Sequence, residues 1–223
     1  REKTRSWKSL DALPTIPVMA ENLEVLDSPR AYRETLLALI ASARHRILLA
    51  ALYLQDDDGG REVLGALYAA KAARPELEIA VFVDWHRAQR GLIGKAKSAG
   101  NAAMYREMAQ RLGSGVKIYG VPVQRREFMG VLHLKGFVID DAVLYSGASL
   151  NDVYLHRHQR YRLDRYHLIR SRKLADAMSV VLDRTLRHSS AVHLLNTPSA
   201  PKTAEIRAEI VRFRRELTHT RYR

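Results

Sequence analysis

No cysteine occurs among the 223 residues. That absence excludes disulfide stapling, thiolate-bound zinc and iron–sulfur centres, and it fits a reducing compartment. Aromatic residues are sparse, at 7%, and no apolar run exceeds Ile47–Leu54. Such a run is far short of the ~18 residues that a membrane-crossing helix needs. Acidic residues are also in short supply, 24 against 37 Lys and Arg. With 47% hydrophobic residues the chain is nonetheless no disordered tail, and at this size it buries roughly 70% of its unfolded surface without covalent help. One large domain or two small ones are expected. The chain opens on Arg1 without the basic, apolar, small-residue order of a signal segment, which reads as a processed or excised stretch of a longer protein.

The net charge of +13 is not spread evenly. Residues 1–8 carry a net +3, residues 157–173 a net +6 and residues 202–223 a net +4, which accounts for the whole excess. Positive charge gathered in blocks points to a polyanionic partner, a nucleic acid or an anionic lipid surface, with plain solvated faces as the alternative.

Residues 9–30, with Pro14, Pro17 and Pro29, lack a sustained period and read as an extended arm. Ser28-Pro29 is a helix-start signal, and Tyr32, Leu36, Leu39, Ile40 and Ala43 follow at helical spacing. Arg46–Leu54 suits a buried strand, Val63 to Lys71 a second helix, Glu78–Asp84 a strand, Ala102–Leu112 a helix stopped by Gly113, and Val116–Val123 a strand. This alternation predicts an α/β fold whose mixed sheet is mostly parallel and flanked by helices. From Val131 the pattern becomes strand, Asp140-Asp141 turn, strand, a polar loop and a further strand over Tyr161–Ile169. Leu174, Met178, Val181 and Leu182 mark a helix packed on that sheet, and 189–201 reads as a linker. The expected organisation is a basic arm over 1–30, a lobe over 31–188, and a linker with a basic amphipathic helix over 189–223. On that last helix Ile206, Ile210, Phe213 and Leu217 share a face with Arg207, Arg214 and Arg215 around it. The pattern suits either an anionic membrane interface or packing against a further lobe.

Val131–Asp140 is the most informative segment. In a strand, His133 and Lys135 emerge on one face. Two cations side by side disfavour each other unless an anion joins them, and a phosphate diester is such an anion. A neutral imidazole can attack phosphorus while an ammonium donates to the charged oxygens. An ordinary edge strand with two polar residues facing water fits the local pattern as well. Asp140 then stands at the strand end, and Gly147-Ala-Ser149-Leu-Asn151 supplies a small-residue turn with a hydroxyl and an amide.

The run His133-x-Lys135-x4-Asp140-x6-Gly147 resembles the HKD motif of the phospholipase D superfamily. It departs after the glycine, where Gly-Ala-Ser-Leu-Asn is one residue longer than the usual Gly-Ser-x-Asn. Four further stretches, over 51–60, 83–91, 145–156 and 164–170, are similar to the bacterial CDP-diacylglycerol–serine O-phosphatidyltransferases of that superfamily. The resemblance implies a two-lobed fold with one motif per lobe. It also implies catalysis by His133, Lys135 and Asp140 through a phosphatidyl-histidine intermediate, release of CMP and attack by the L-serine hydroxyl. No metal and no cofactor are implied. A second His-x-Lys-x4-Asp is nowhere in the chain, so a second motif-bearing lobe, in cis or by dimerisation, is expected. The implied location is cytoplasmic, peripheral to the inner face of the cell membrane.

Outside the motif, His86 and Arg87 follow a strand end, where α/β folds place functional loops, and are candidate phosphate ligands, with plain surface groups as the alternative. Asp164 is a candidate orienting carboxylate or a strand salt bridge. Asp56, Asp57 and Asp58 read as a solvated turn, since consecutive residues point apart. Tyr154 to Arg162 mixes rings with cations, which suits nucleic acid or ribosome stacking as well as lipid headgroups. Two other readings stay open: a homodimeric phosphodiesterase or nuclease, and a non-catalytic basic module binding lipid or RNA.

Overall fold

The fold described here is a computed structural model, and it describes residues 14–89, 100–122 and 135–219. Ser28 takes the N-cap of α1 (Pro29–Ser42), its hydroxyl accepting the Ala31 N–H at 3.2 Å, and Pro29 stands at the first turn where no donor is needed. Asp57 caps α2 (Asp58–Ala73) by accepting the Gly60 N–H at 2.9 Å. Asp84 caps the short α3 (Trp85–Ala88), and Gly113, at φ 106°, ends α4 (Asn101–Leu112). Ser171 caps α5 (Arg172–Val181), which continues into a π-helical turn over Leu182–Arg187. α6 spans Arg207–His219.

Eight strands form one sheet: β1 (Leu23–Leu26), β2 (Arg46–Ala50), β3 (Glu78–Asp84), β4 (Lys117–Val121), β5 (Gly136–Ile139), β6 (Ala142–Ser146), β7 (Tyr166–Arg170) and β8 (His193–Leu194). Their order is β1-β7-β6-β5-β2-β3-β4-β8. Among the described residues only the β2–β3 and β3–β4 ladders are parallel, and the other five are antiparallel. The expected mostly parallel sheet is thus corrected to a mostly antiparallel one. The physical reason is connection length. Parallel neighbours need a crossover of a dozen or more residues, which α2 and the α3–α4 segment supply between β2, β3 and β4. β5 and β6 are joined by Asp140-Asp141 alone and can only form a hairpin, with Asp140 in the left-handed region at φ 50°.

Alternate strand residues feed two cores. Ile47, Leu49, Val81, Val83, Phe137 and Leu144 join α1, α2 and α4 on one face, and Leu48, Ala50, Phe82, Val138 and Val143 meet α5 on the other. The segment over 189–201 is joined to the lobe: β8 pairs with β4, and the Asn196 side chain accepts from Ile118 N at 3.3 Å and donates to Val116 O at 2.8 Å. Ile206 just before α6, and Ile210 and Phe213 within it, are buried in this lobe's own cores, so these three side chains are not open to lipid.

Candidate active site

The ladder registers decide which predicted residues meet. Ala50 pairs with Gly136, Ser146 with Tyr166 and Asp84 with Val121. Lys135, the loop after β2, α3, the turn after β6 and the residues before β7 therefore share one sheet edge. His133 lies outside the described residues. Lys135 is partly buried and, among the described residues, its ammonium has no carboxylate or hydrogen-bond partner.

Asp140 stands at the opposite edge, five residues along the strand from Lys135, or roughly 16 Å at ~3.3 Å per residue. Its carboxylate accepts the backbone N–H groups of Arg44 and His45 at 2.8 Å and of Arg46 at 3.0 Å. Burial works against its ionisation, yet these three donors outweigh it and hold the carboxyl below its ordinary range. Asp140 therefore fixes the entry to β2 against the β5–β6 turn, away from the Lys135 edge.

At the Lys135 edge the loops after β2 and β6 are joined by backbone bonds, Gln55 N to Leu150 O at 2.9 Å and Leu150 N to Tyr53 O at 3.2 Å. Ala148 and Leu150 are buried in the core. The longer Gly-Ala-Ser-Leu-Asn turn is thereby pinned so that both Ser149 and Asn151 meet Tyr53. Asn151 Nδ2 donates to the Tyr53 hydroxyl at 3.3 Å, and the Ser149 side chain lies close enough to favour the phenol's ionised form. The Arg87 guanidinium lies 5.0 Å from the centroid of the Tyr53 ring, within cation–π range. Burial raises the phenol's pKa, with Arg87 opposing, so the group is a neutral hydroxyl. Tyr53 was hidden from sequence reasoning inside the apolar run Ile47–Leu54, although the strand ends at Ala50.

Asp84 is fully buried and accepts the Arg87 N–H at 2.9 Å, which anchors the loop carrying His86 and Arg87. Asp164 straps the turn after β6: it accepts from Gly147 N at 3.1 Å and Arg165 N at 2.7 Å. A Cβ at Gly147 would come within 2.9 Å of that carboxylate, which is why glycine stands there. The structure thus brings Lys135, Arg87, Ser149, Asn151 and the Asp164 strap to one edge.

The three aspartates do not converge. Asp56 pairs with Arg61 at 2.7 Å, Asp58 with His158 at 2.9 Å, and Asp57 accepts from both Gly60 N and Asp152 N at 2.9 Å. Burial pushes the Asp57 carboxyl up to about 6 against those hydrogen bonds. Asp58, Asp152 and His158 bring ligand-type atoms within 4.8 Å of one another. They sit at the N-terminus of α2, whose dipole disfavours a cation. Among the described residues no helix is long and apolar enough to cross a membrane.

The "Cardiolipin synthase, PLD-like domain" family matches residues 36–185. The chain is 50% identical over 222 residues to the CDP-diacylglycerol–serine O-phosphatidyltransferase of Escherichia coli K12, covering 99% of this chain and 49% of that protein. It is 44% identical to the enzyme of the same name from Haemophilus influenzae, covering 96% of this chain and 48% of that one. A crystal structure of Haemophilus influenzae phosphatidylserine synthase superposes with a TM-score of 0.90 at 43% identity, over 95% of this chain and 47% of that chain. The chain therefore spans about half the length of the relatives it matches. With two thirds of its length matched by the family and the motif lysine standing with Arg87, Ser149 and Asn151 at a single sheet edge, the chain belongs to the phospholipase D-like family.

Proposed function

We propose that the chain provides one catalytic lobe of an enzyme that transfers the phosphatidyl group of CDP-diacylglycerol to L-serine, giving phosphatidylserine and CMP. The observation that carries this reading is the extent of the similarity: half of the residues are identical across 99% of the chain. A bare phosphodiesterase motif would not require that much.

In this mechanism the His133 imidazole attacks the lipid phosphorus and the bond to the CMP oxygen breaks, leaving phosphatidyl-histidine. The serine hydroxyl then attacks phosphorus, gives up its proton to a base and restores the imidazole. Lys135 stabilises charge on the equatorial oxygens, and Arg87, Ser149 and Asn151, held through Tyr53, bind and orient the phosphates. His86 lines the same loop as a phosphate ligand, and Asp164 acts by fixing the Gly147 turn. Protonating CMP and deprotonating serine call for a second acid–base group, contributed by a second motif-bearing lobe and worth ~10²- to 10⁴-fold. The basic blocks hold the protein on the anionic inner face of the membrane.

The test is to incubate the complete protein with CDP-diacylglycerol labelled in the cytidylate, with and without serine, and separately with DNA. Serine-dependent CMP release with intact DNA is the expected result. Cleavage of DNA without CMP release would replace this reading by a phosphodiesterase, and binding without turnover would leave only a binding module.

A further inference from the structure

A cavity of about 220 Å³ opens at the Lys135 edge, between β2 and β5 on one side and α5 on the other. Its described walls include Ala50, Gly136, Ala177, Met178 and Val181, with Lys135 as the one charged lining residue among the described residues. The space exists because the facing positions are small. Ala50 and Gly136 are ladder partners, and Gly136 at φ 138° leaves room where a Cβ would lie 2.6 Å from Met178 Cε. Val181, which lines the cavity, is itself 38% exposed, so the apolar lining reaches the surface of α5.

We propose that this cavity takes the glycerol-proximal part of one acyl chain of the lipid substrate while Lys135 holds the adjoining phosphate. The inference rests on the phosphatidyl-transfer reading above and adds where the lipid goes. A lysine at the cavity wall whose ammonium has no partner among the described residues calls for an anion, whereas the other described lining residues offer hydrated groups nothing. A free phosphate or a nucleotide satisfies the first condition only. An anionic group joined to a hydrocarbon chain satisfies both. The volume is below the ~300–1,000 Å³ of pockets that enclose a whole ligand, so it takes part of one chain, and the remainder leaves through the cavity mouth beside Val181.

The test uses the complete protein and two soluble probes, dihexanoyl phosphatidate and glycerol 3-phosphate, with binding followed by calorimetry. Ala177→Phe fills the cavity from an exposed helix position that the fold tolerates, and Ala177→Leu is the milder version. The unaltered protein should prefer the phosphatidate by at least about tenfold, the effect of burying roughly two methylenes. Ala177→Phe should bring the two probes within about twofold while glycerol 3-phosphate binding stays unchanged. No acyl preference in the unaltered protein, or a preference that survives both substitutions, would overturn the proposal. So would equal loss of both probes, or a fall in melting temperature without a change in preference, which would mean that a protein segment fills the space. CMP release, measured in parallel, separates the two readings: acyl preference without CMP release would contradict the transferase, and CMP release without acyl preference would contradict the cavity alone.

Discussion

The Tyr53 ring lies against Arg87, and its hydroxyl meets Asn151 and Ser149, so one side chain ties together the loops after β2, β3 and β6. Tyr53→Phe removes the hydroxyl and leaves the ring. It should lower kcat/KM for CDP-diacylglycerol about fivefold, the worth of one hydrogen bond. Tyr53→Leu also removes the face beneath the guanidinium and should cost about 25-fold, with melting curves showing that both variants fold. Asp140 acts at the other edge and through stability alone. Asp140→Ala should destabilise by about 1–2 kcal/mol, since water replaces part of what three backbone donors lose. Because its folded pKa is depressed, that contribution is present above the ordinary carboxylate value and disappears as pH falls through the folded value. Thermal melts from pH 7 down to pH 3 should therefore bring the variant and the parent together, while kcat at neutral pH and low temperature stays near the parent value. Motif spacing singled out Lys135, Ser149 and Asn151, which the fold places at one sheet edge. Spacing alone could not tell that the four-residue β5 sets Asp140 at the opposite edge from Lys135, nor that the apolar Tyr53 run leaves the sheet after Ala50.

Among the elements, α6 separates two readings that its periodicity could not. A helical stripe of Ile206, Ile210 and Phe213 states that a face is buried without stating against what, and here it is this lobe's own core. Phe213→Ala should accordingly cost about 3–5 kcal/mol in chemical denaturation and leave vesicle affinity unchanged. Weakened vesicle binding with unchanged stability would mean that the helix leaves the core for lipid. The sheet teaches the same lesson. Helix and strand positions from α1 to β4 follow from hydrophobic period and caps, but strand direction depends on connection length and on edge strands with little apolar signal. β1 shows three exposed residues of four, and β8 is two residues long, which is why their sequence patterns resemble an arm and a linker.

At the scale of the whole molecule, the +13 charge and the one-motif lobe set two expectations. Attraction to anionic lipid should amount to about 1 kcal/mol for each well-placed Lys or Arg. It should be screened over about 10 Å at 0.1 M salt. Sedimentation with phosphatidylglycerol vesicles should fall as salt rises, and sedimentation with neutral vesicles should be low throughout. Equal binding to both, indifferent to salt, would remove the electrostatic account. The second expectation concerns the reaction itself. Phosphatidyl transfer through a histidine adduct makes His133 indispensable and Lys135 intolerant of the planar guanidinium of arginine. The most direct measurement is serine-dependent CMP release from CDP-diacylglycerol by the complete protein carrying His133→Ala, with folding verified by its melting curve. Loss of release to background in a folded variant is the predicted result, and near-normal release would contradict the account.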